Sequence, residues 1–241
     1  MPWETTVSAT VETFDLRKAI QAVHPLAADG YFDRVRFHLD ESGRQIRVTG
    51  TNGFCAGLAL VDVVEHRTGY SETIELRREH AREVLTMFKA KDPGSEDSVG
   101  DTCQLLVKHN ESTGSTTLTV TDVSGLFPGK AATWPTLTPD ENGPDVVAQI
   151  AKRLPRAGMA AKSSIRVVGR LMALFANASA AYSSPLVIEP TSVEDRASLL
   201  ISCGEQFLGL LTPPRANDED LRDEQEYREA WLELLGVEVL A

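Results

Sequence analysis

One structural module is written twice in this chain. Thr73-Ile74-Glu75-Leu76 reads as a short strand, a helix with Ala81, Val84, Leu85 and Phe88 on one face follows, and a hairpin closes the unit. At an offset of 91 positions, Ser164-Ile165-Arg166-Val167 stands before a helical stretch at 169–180. Strands at 185–189 and 198–211 come next, the second turning at Cys203-Gly204-Glu205-Gln206. A repeated unit of this kind buries its apolar face only against a neighbour, so the repeat constrains the fold to two related α+β units with helices packed on antiparallel sheet.

The rest of the chain fits that frame. Residues 6–11 alternate as a strand does, and Phe14, Leu16, Ile20 and Val23 then recur at helical spacing up to Pro25. A hairpin is expected from 34–39 and 45–49 around Glu41-Ser42-Gly43-Arg44, a long apolar strand over 53–64, and a second hairpin from 103–109 and 115–121 around residues 110–114. The helix over 81–88 stops before Lys91-Asp92-Pro93-Gly94. Pro128, Pro135, Pro139 and Pro144 mark a connector, and a helix over 145–154 ends at Pro155. The expected organisation is a first domain at 1–124, a connector at 125–144, an abbreviated second domain at 145–215 and an acidic helical tail at 216–241.

The net charge of −11 is unevenly spread. Residues 216–241 hold nine acids against Arg222 and Arg228, so the tail carries −7 and the body −4. Such a body can still concentrate positive charge on one surface, since the field depends on distribution more than on the total. Cys55, Cys103 and Cys203 are too scattered for a zinc knuckle or a disulfide framework and are expected as buried small hydrophobes. The start, Met-Pro-Trp-Glu-Thr-Thr, lacks a leader pattern, and no apolar run is long enough to span a membrane, so a soluble, cytoplasmic protein is expected.

No catalytic, metal or cofactor constellation is legible. Gly125-Leu126-Phe127-Pro128-Gly129-Lys130-Ala131 has the wrong spacing for a phosphate loop and an alanine where a hydroxyl must follow the lysine. His80 and Glu83 share a helix, but no second histidine stands four residues beyond His80. The expectation is a protein that is not an enzyme and uses no cofactor.

Three segments resemble the bacterial DNA polymerase III beta sliding clamp family. Ile46-Arg47-Val48-Thr49-Gly50-Thr51-Asn52-Gly53-Phe54 resembles the strand and turn that precede a second long strand in that family. Ala132-Thr133-Trp134-Pro135-Thr136-Leu137 resembles the segment joining two clamp domains. Residues 197–215, ending Leu210-Leu211-Thr212-Pro213-Pro214-Arg215, resemble the closing hairpin and are the most specific of the three. Two departures stand out. The bacterial clamps carry three domains and this chain has room for two, as in eukaryotic, archaeal and some phage clamps, and about 30 residues, 134–164, are left for a half-domain that takes roughly 65 in the first unit.

The resemblance implies a processivity factor that encircles double-stranded DNA without reading sequence, assembles as a homotrimer, and receives a DNA polymerase and a clamp loader through short hydrophobic peptides. A two-domain member of this type suits a phage. Sliding needs mobile, sequence-blind phosphate contacts, for which helix-borne Lys and Arg are apt. The candidates are Arg17 and Lys18 on the first helix, Arg77, Arg78, Arg82 and Lys89 on the second, Lys152, Arg153 and Arg156 on the third, and Arg170 on the fourth. Each also reads singly as an ordinary solvated cation. The partner groove implied beside the last strand maps onto Trp134, Leu137, Leu208, Leu210, Leu211, Pro213 and Pro214, which equally read as sheet core. In the tail, Tyr227, Trp231, Leu234 and Leu235 share one helical face, expected either to pack on the body or to dock in a clamp groove. Two other readings stay open: a clamp-fold adaptor that never closes a ring, and a small enzyme with a dispersed site.

Overall fold

The computed structural model describes residues 5–39, 42–66, 71–90, 101–110, 113–140, 143–158, 165–193, 196–214 and 217–234. The helix stop at 91–94 lies outside them, as do Glu41, Ser164, Arg215 and Leu235.

Period-two burial organises the first half of the chain. β1 (Thr5–Glu12), β2 (Val35–Leu39), β3 (Gln45–Thr51), β4 (Cys55–His66) and β5 (Glu72–Leu76) are all antiparallel to their neighbours. The same holds for β6 (Thr102–Asn110), β7 (Ser115–Asp122) and β8 (Ala131–Pro135). They are joined in the order β5-β2-β3-β4-β1-β6-β7-β8. In β2, Val35, Phe37 and Leu39 turn inward and Arg36 and His38 do not. The helices α1 (Thr13–Val23) and α2 (Arg78–Met87) bury Leu16, Ala19, Ile20 and Val23, and Ala81 and Val84, in the same core.

The sheet of the second half joins that of the first through one strand. β9 (Leu186–Val193), β10 (Arg196–Cys203) and β11 (Phe207–Leu211) form a meander, and β11 pairs with β4 from Phe207 opposite Ala59 to Leu211 opposite Cys55. The first part of β4 thus lies between β3 and β11, while its last part, Val63 to His66, is paired to β1 across a bulge.

This shared sheet carries helices on both faces. Toward one side, Leu199, Ile201, Cys203, Phe207 and Leu211 pack in the main core with Phe175 and Ala178 of the helical stretch built from α4 (Gly169–Met172), a 3-10 turn at Ala173–Phe175 and α5 (Ala176–Tyr182). Toward the other, Ala56, Leu200 and Leu210 pack against Val146 and Ile150 of α3 (Val146–Arg153), whose start is capped by the Asp145 carboxylate accepting from the Ala148 N–H at 2.9 Å. Strand alternation puts α3 on the face opposite α1 and α5. α6 (Asp218–Leu234) follows the last strand.

The sequence reading needs two corrections. Residues 165–168 are not a strand, so the replay keeps its helix and hairpin and loses its first strand. Ile165 and Val167 still alternate inward against the core. The stretch 125–144, expected as a connector, contributes β8, whose Trp134 is buried.

Candidate nucleic-acid interface

The helix layer of α1, α2 and the α4–α5 stretch carries most of the basic residues singled out above. Together with the flanking Arg77 and Lys89, these helices hold Arg17, Lys18, Arg78, Arg82 and Arg170, against Asp15, Glu79, Glu83 and the flanking Glu12. In a chain of net charge −11, this layer is net positive.

Its cations differ in how they are used. Arg17 donates to the carbonyls of Leu85 and Phe88, closing the C-terminal end of α2, and burial draws its pKa below the usual arginine value. Lys18 pairs with Asp15 at 2.6 Å and stands over the rings of Phe14 and Tyr182 at 4.7 and 5.5 Å, linking α1 to α5. These two line a groove of about 340 Å³ between α1, α5 and Ala90, shared with Gln21 and Ser183. Arg78 donates to Asp29 at 2.7 Å and to the Ala27 carbonyl at 3.2 Å, and Arg77 reaches Asp33 at 3.5 Å. Arg82, Lys89 and Arg170 are exposed.

The remaining three candidates lie elsewhere. Lys152, Arg153 and Arg156 belong to α3 and the turn after it, on the opposite face of the shared sheet. Arg153 is 8% exposed, donates to the Gln149 carbonyl at 3.0 Å and to the Gln149 side chain at 2.7 Å, and its own carbonyl accepts the Thr191 hydroxyl at 3.1 Å. Arg156 reaches the Ser192 carbonyl at 3.5 Å and Lys152 is exposed. The ten basic residues therefore do not form one surface.

The residues expected to form a partner groove are likewise dispersed. Trp134 is buried, donates to Glu83 at 2.7 Å and meets Phe88 edge-on. Leu137 is fixed by its N–H to the Glu75 carbonyl at 2.7 Å. Leu208 and Leu210 share a face, and α3 lies over it; Leu211 points into the main core, Pro213 is half-buried and Pro214 exposed.

Sequence reasoning missed the polar cluster that pins the connector. The Glu75 carboxylate is fully buried and accepts from Arg34 at 2.7 Å and from Arg36 at 2.8 Å. Arg36 also donates to the Asp140 carbonyl at 3.1 Å, and Tyr31 donates to the Asp140 carboxylate at 2.6 Å, a bond that raises the tyrosine pKa. The alternation of Arg34 and Arg36 at the start of β2 was the available signal, but their acid comes from β5, about 40 residues away. Among the described residues, no three His, Cys, Asp or Glu side chains stand where they could hold a metal ion, and no helix is long and apolar enough to cross a membrane.

No family model matches the sequence, and no curated protein matches it. Solved structures do. The beta clamp of Helicobacter pylori, in complex with 3,4-difluorobenzamide, superposes with a TM-score of 0.58 at 12% identity, over 87% of this chain and 66% of that one. The DNA polymerase sliding clamp of Bacillus subtilis gives 0.53 at 11% identity, over 87% and 64%. The DNA polymerase III beta subunit of Thermotoga maritima gives 0.50 at 11% identity, over 90% and 67%. The chain spans about two thirds of the length of these proteins. Helices packed on antiparallel sheet, in the arrangement described above, thus give this chain a fold similar to that of the bacterial DNA polymerase III beta sliding clamps.

Proposed function

We propose that this protein is a clamp-fold processivity factor whose helix layer faces duplex DNA and which tethers a DNA polymerase and its loader, acting without catalysis of its own. The observation that carries the reading is the net-positive layer of α1, α2 and α4–α5 in an otherwise acidic chain, on the fold of the sliding clamps. Such a layer supplies phosphate contacts that do not depend on sequence. Encirclement requires self-association, and three chains of 26.3 kDa would give a homotrimer of about 79 kDa. Two units, 1–124 and 145–215, are the domain division that suits this reading, with the stretch 125–144 adding β8 to the first unit on its way to the second.

A second reading, a clamp-fold adaptor that binds replication proteins without closing a ring, has its own support. Between α3 and α4 the described residues hold a 3-10 turn and no strand, whereas the first unit has the four strands β2 to β5 between α1 and α2. Light scattering at micromolar concentration, combined with retention on nicked circular versus linearised duplex, separates the two. A trimer retained on circles and lost from linear ends supports the ring. A monomer that binds both DNAs alike supports the adaptor.

A further inference from the structure

α6 begins as a docked helix and ends as an undocked one. Asp220, Glu224, Tyr227, Trp231 and Leu234 recur at helical spacing and share one face. The first two meet the body: Arg166 donates to Asp220 at 2.7 Å and to Glu224 at 2.9 Å. The last three, further along the same face, are 68%, 61% and 73% exposed. Arg166 can reach α6 because its neighbours Ile165 and Val167 turn inward against the core. The anchor therefore lies at the foot of α4, four residues before Arg170 in the basic helix layer. α6 carries Asp218, Glu219, Asp220, Asp223, Glu224, Glu226, Glu229 and Glu233 against Arg222 and Arg228.

We infer that α6, held by the Arg166 ion pairs, is an autoinhibitory acidic arm that occupies Arg166 and opposes the approach of duplex to the basic helix layer. The inference rests on the duplex-binding reading proposed above. A helix with that excess of carboxylates at the edge of the layer lowers the local positive potential and repels phosphate, and two of its carboxylates each take one guanidinium nitrogen of Arg166, a cation that phosphate would otherwise contact. The contact is charge-based and half-exposed, so it is a weak latch suited to release, and salt screens it as it screens DNA binding itself.

The test uses full-length variants and a fluorescent duplex of arbitrary sequence. Asp220→Asn with Glu224→Gln removes two acids and the anchor together. Glu226→Gln with Glu229→Gln removes two acids that do not touch Arg166. At about 50 mM salt the anchor variant is expected to bind duplex roughly tenfold more tightly than the parent, and the control variant roughly twofold, because release of the arm removes the whole acidic field where the control removes part of it. Circular dichroism and a melting curve show that each variant is folded. Equal affinities for parent and anchor variant, or equal gains from anchor and control, would overturn the arm. If the parent and both variants all fail to bind duplex, the duplex reading falls and the arm with it. Binding that the anchor variant leaves unchanged removes the arm alone.

Discussion

Gly209 of β11 lies directly opposite Gly57 of β4, and both turn bare backbone toward the aromatic and aliphatic side chains that seal the shared sheet. A Cβ on Gly209 would come within 2.4 Å of the Phe175 ring, and one on Gly57 within 2.3 Å of Leu26. The junction between the two halves is thus close-packed because two residues have no side chain on that face.

The first prediction follows from this seam. Gly209→Ala forces the fully buried Phe175 ring to move, and overpacking of this kind costs about 1–3 kcal/mol. Phe175→Ala alone leaves a cavity and costs roughly 3–5 kcal/mol. Combining them relieves the clash, so the double variant should be less destabilised than the sum of the singles by about 1 kcal/mol or more. Urea midpoints for the four proteins measure the coupling. Strict additivity would mean that Gly209 and Phe175 are not in contact.

A second prediction concerns the buried carboxylate of Glu75. Replacing it by Gln leaves the inner ends of Arg34 and Arg36 facing a neutral group. Breaking one partner of a fully buried pair costs about 3–5 kcal/mol, and the 27% exposure of both arginine side chains reduces this to roughly 2–3 kcal/mol. The connector should loosen as well, since the Glu75 backbone holds Leu137 and Arg36 holds Asp140. Hydrogen exchange at Leu137 would then quicken relative to β3. Unchanged protection would show that the backbone bond suffices without the ion pairs.

The third prediction is a pH dependence. His24 follows α1 beside an α2 that carries Arg78 and Arg82; burial lowers its pKa below the ordinary histidine value, against the opposing hydrogen bonds to the α1 backbone and with a smaller contribution from the two arginine charges. The unfolded chain therefore binds this proton more readily than the folded one. Stability falls as pH drops below about 6.5 and levels off below the depressed folded value. His24→Gln should flatten the melting temperature between about pH 7 and 5 relative to the parent. A parent profile that rises toward acid over that interval would contradict the assignment.

Much of the fold was legible because it rests on local periodicity. Alternating residues announced β2, β3, β6 and β7, and the Leu16, Ile20, Val23 series announced α1. The burial of all three cysteines was expected from their scattered spacing and the apolar character of a free thiol, and the thiols of Cys55 and Cys103 are pushed up to about 11 by desolvation. What sequence did not reveal was long-range. Nothing local shows that α3 crosses to the opposite face of the β4–β11 sheet, so Lys152, Arg153 and Arg156 were grouped with cations that α3 cannot join. Arg17 and Lys18 looked like surface charge because their partners, the carbonyls of Leu85 and Phe88 and the ring of Tyr182, come from other elements. Ile165 to Val167 has the alternation of a strand, and it keeps that alternation without pairing to any strand among the described residues.

A fourth prediction follows from the cysteines. With Cys55 and Cys103 near 11 and Cys203 also raised by burial, none offers appreciable thiolate at pH 8. A disulfide reagent should label the native protein slowly and reach all three thiols at once in urea. Rapid labelling of one thiol in the native state would reveal local opening at its strand.

The last prediction divides the basic residues by face. If the helix layer meets duplex, the exposed cations Arg82, Lys89 and Arg170 bind phosphates and release counterions, whereas Lys152 and Arg156 on the α3 side do not. Removing one phosphate-binding cation reduces the slope of log affinity against log salt by about 0.9, so replacing Arg82, Lys89 and Arg170 together by alanine should lower it by roughly 2–3. Replacing Lys152 and Arg156 by alanine should leave the slope within about 0.5 of the parent. Arg153 stays in place in both sets because its guanidinium is committed to Gln149 within α3. Titrations of a fluorescent duplex from about 50 to 200 mM salt measure both slopes. A larger drop from the α3 pair than from the helix-layer triple would move the DNA to the opposite face of the sheet.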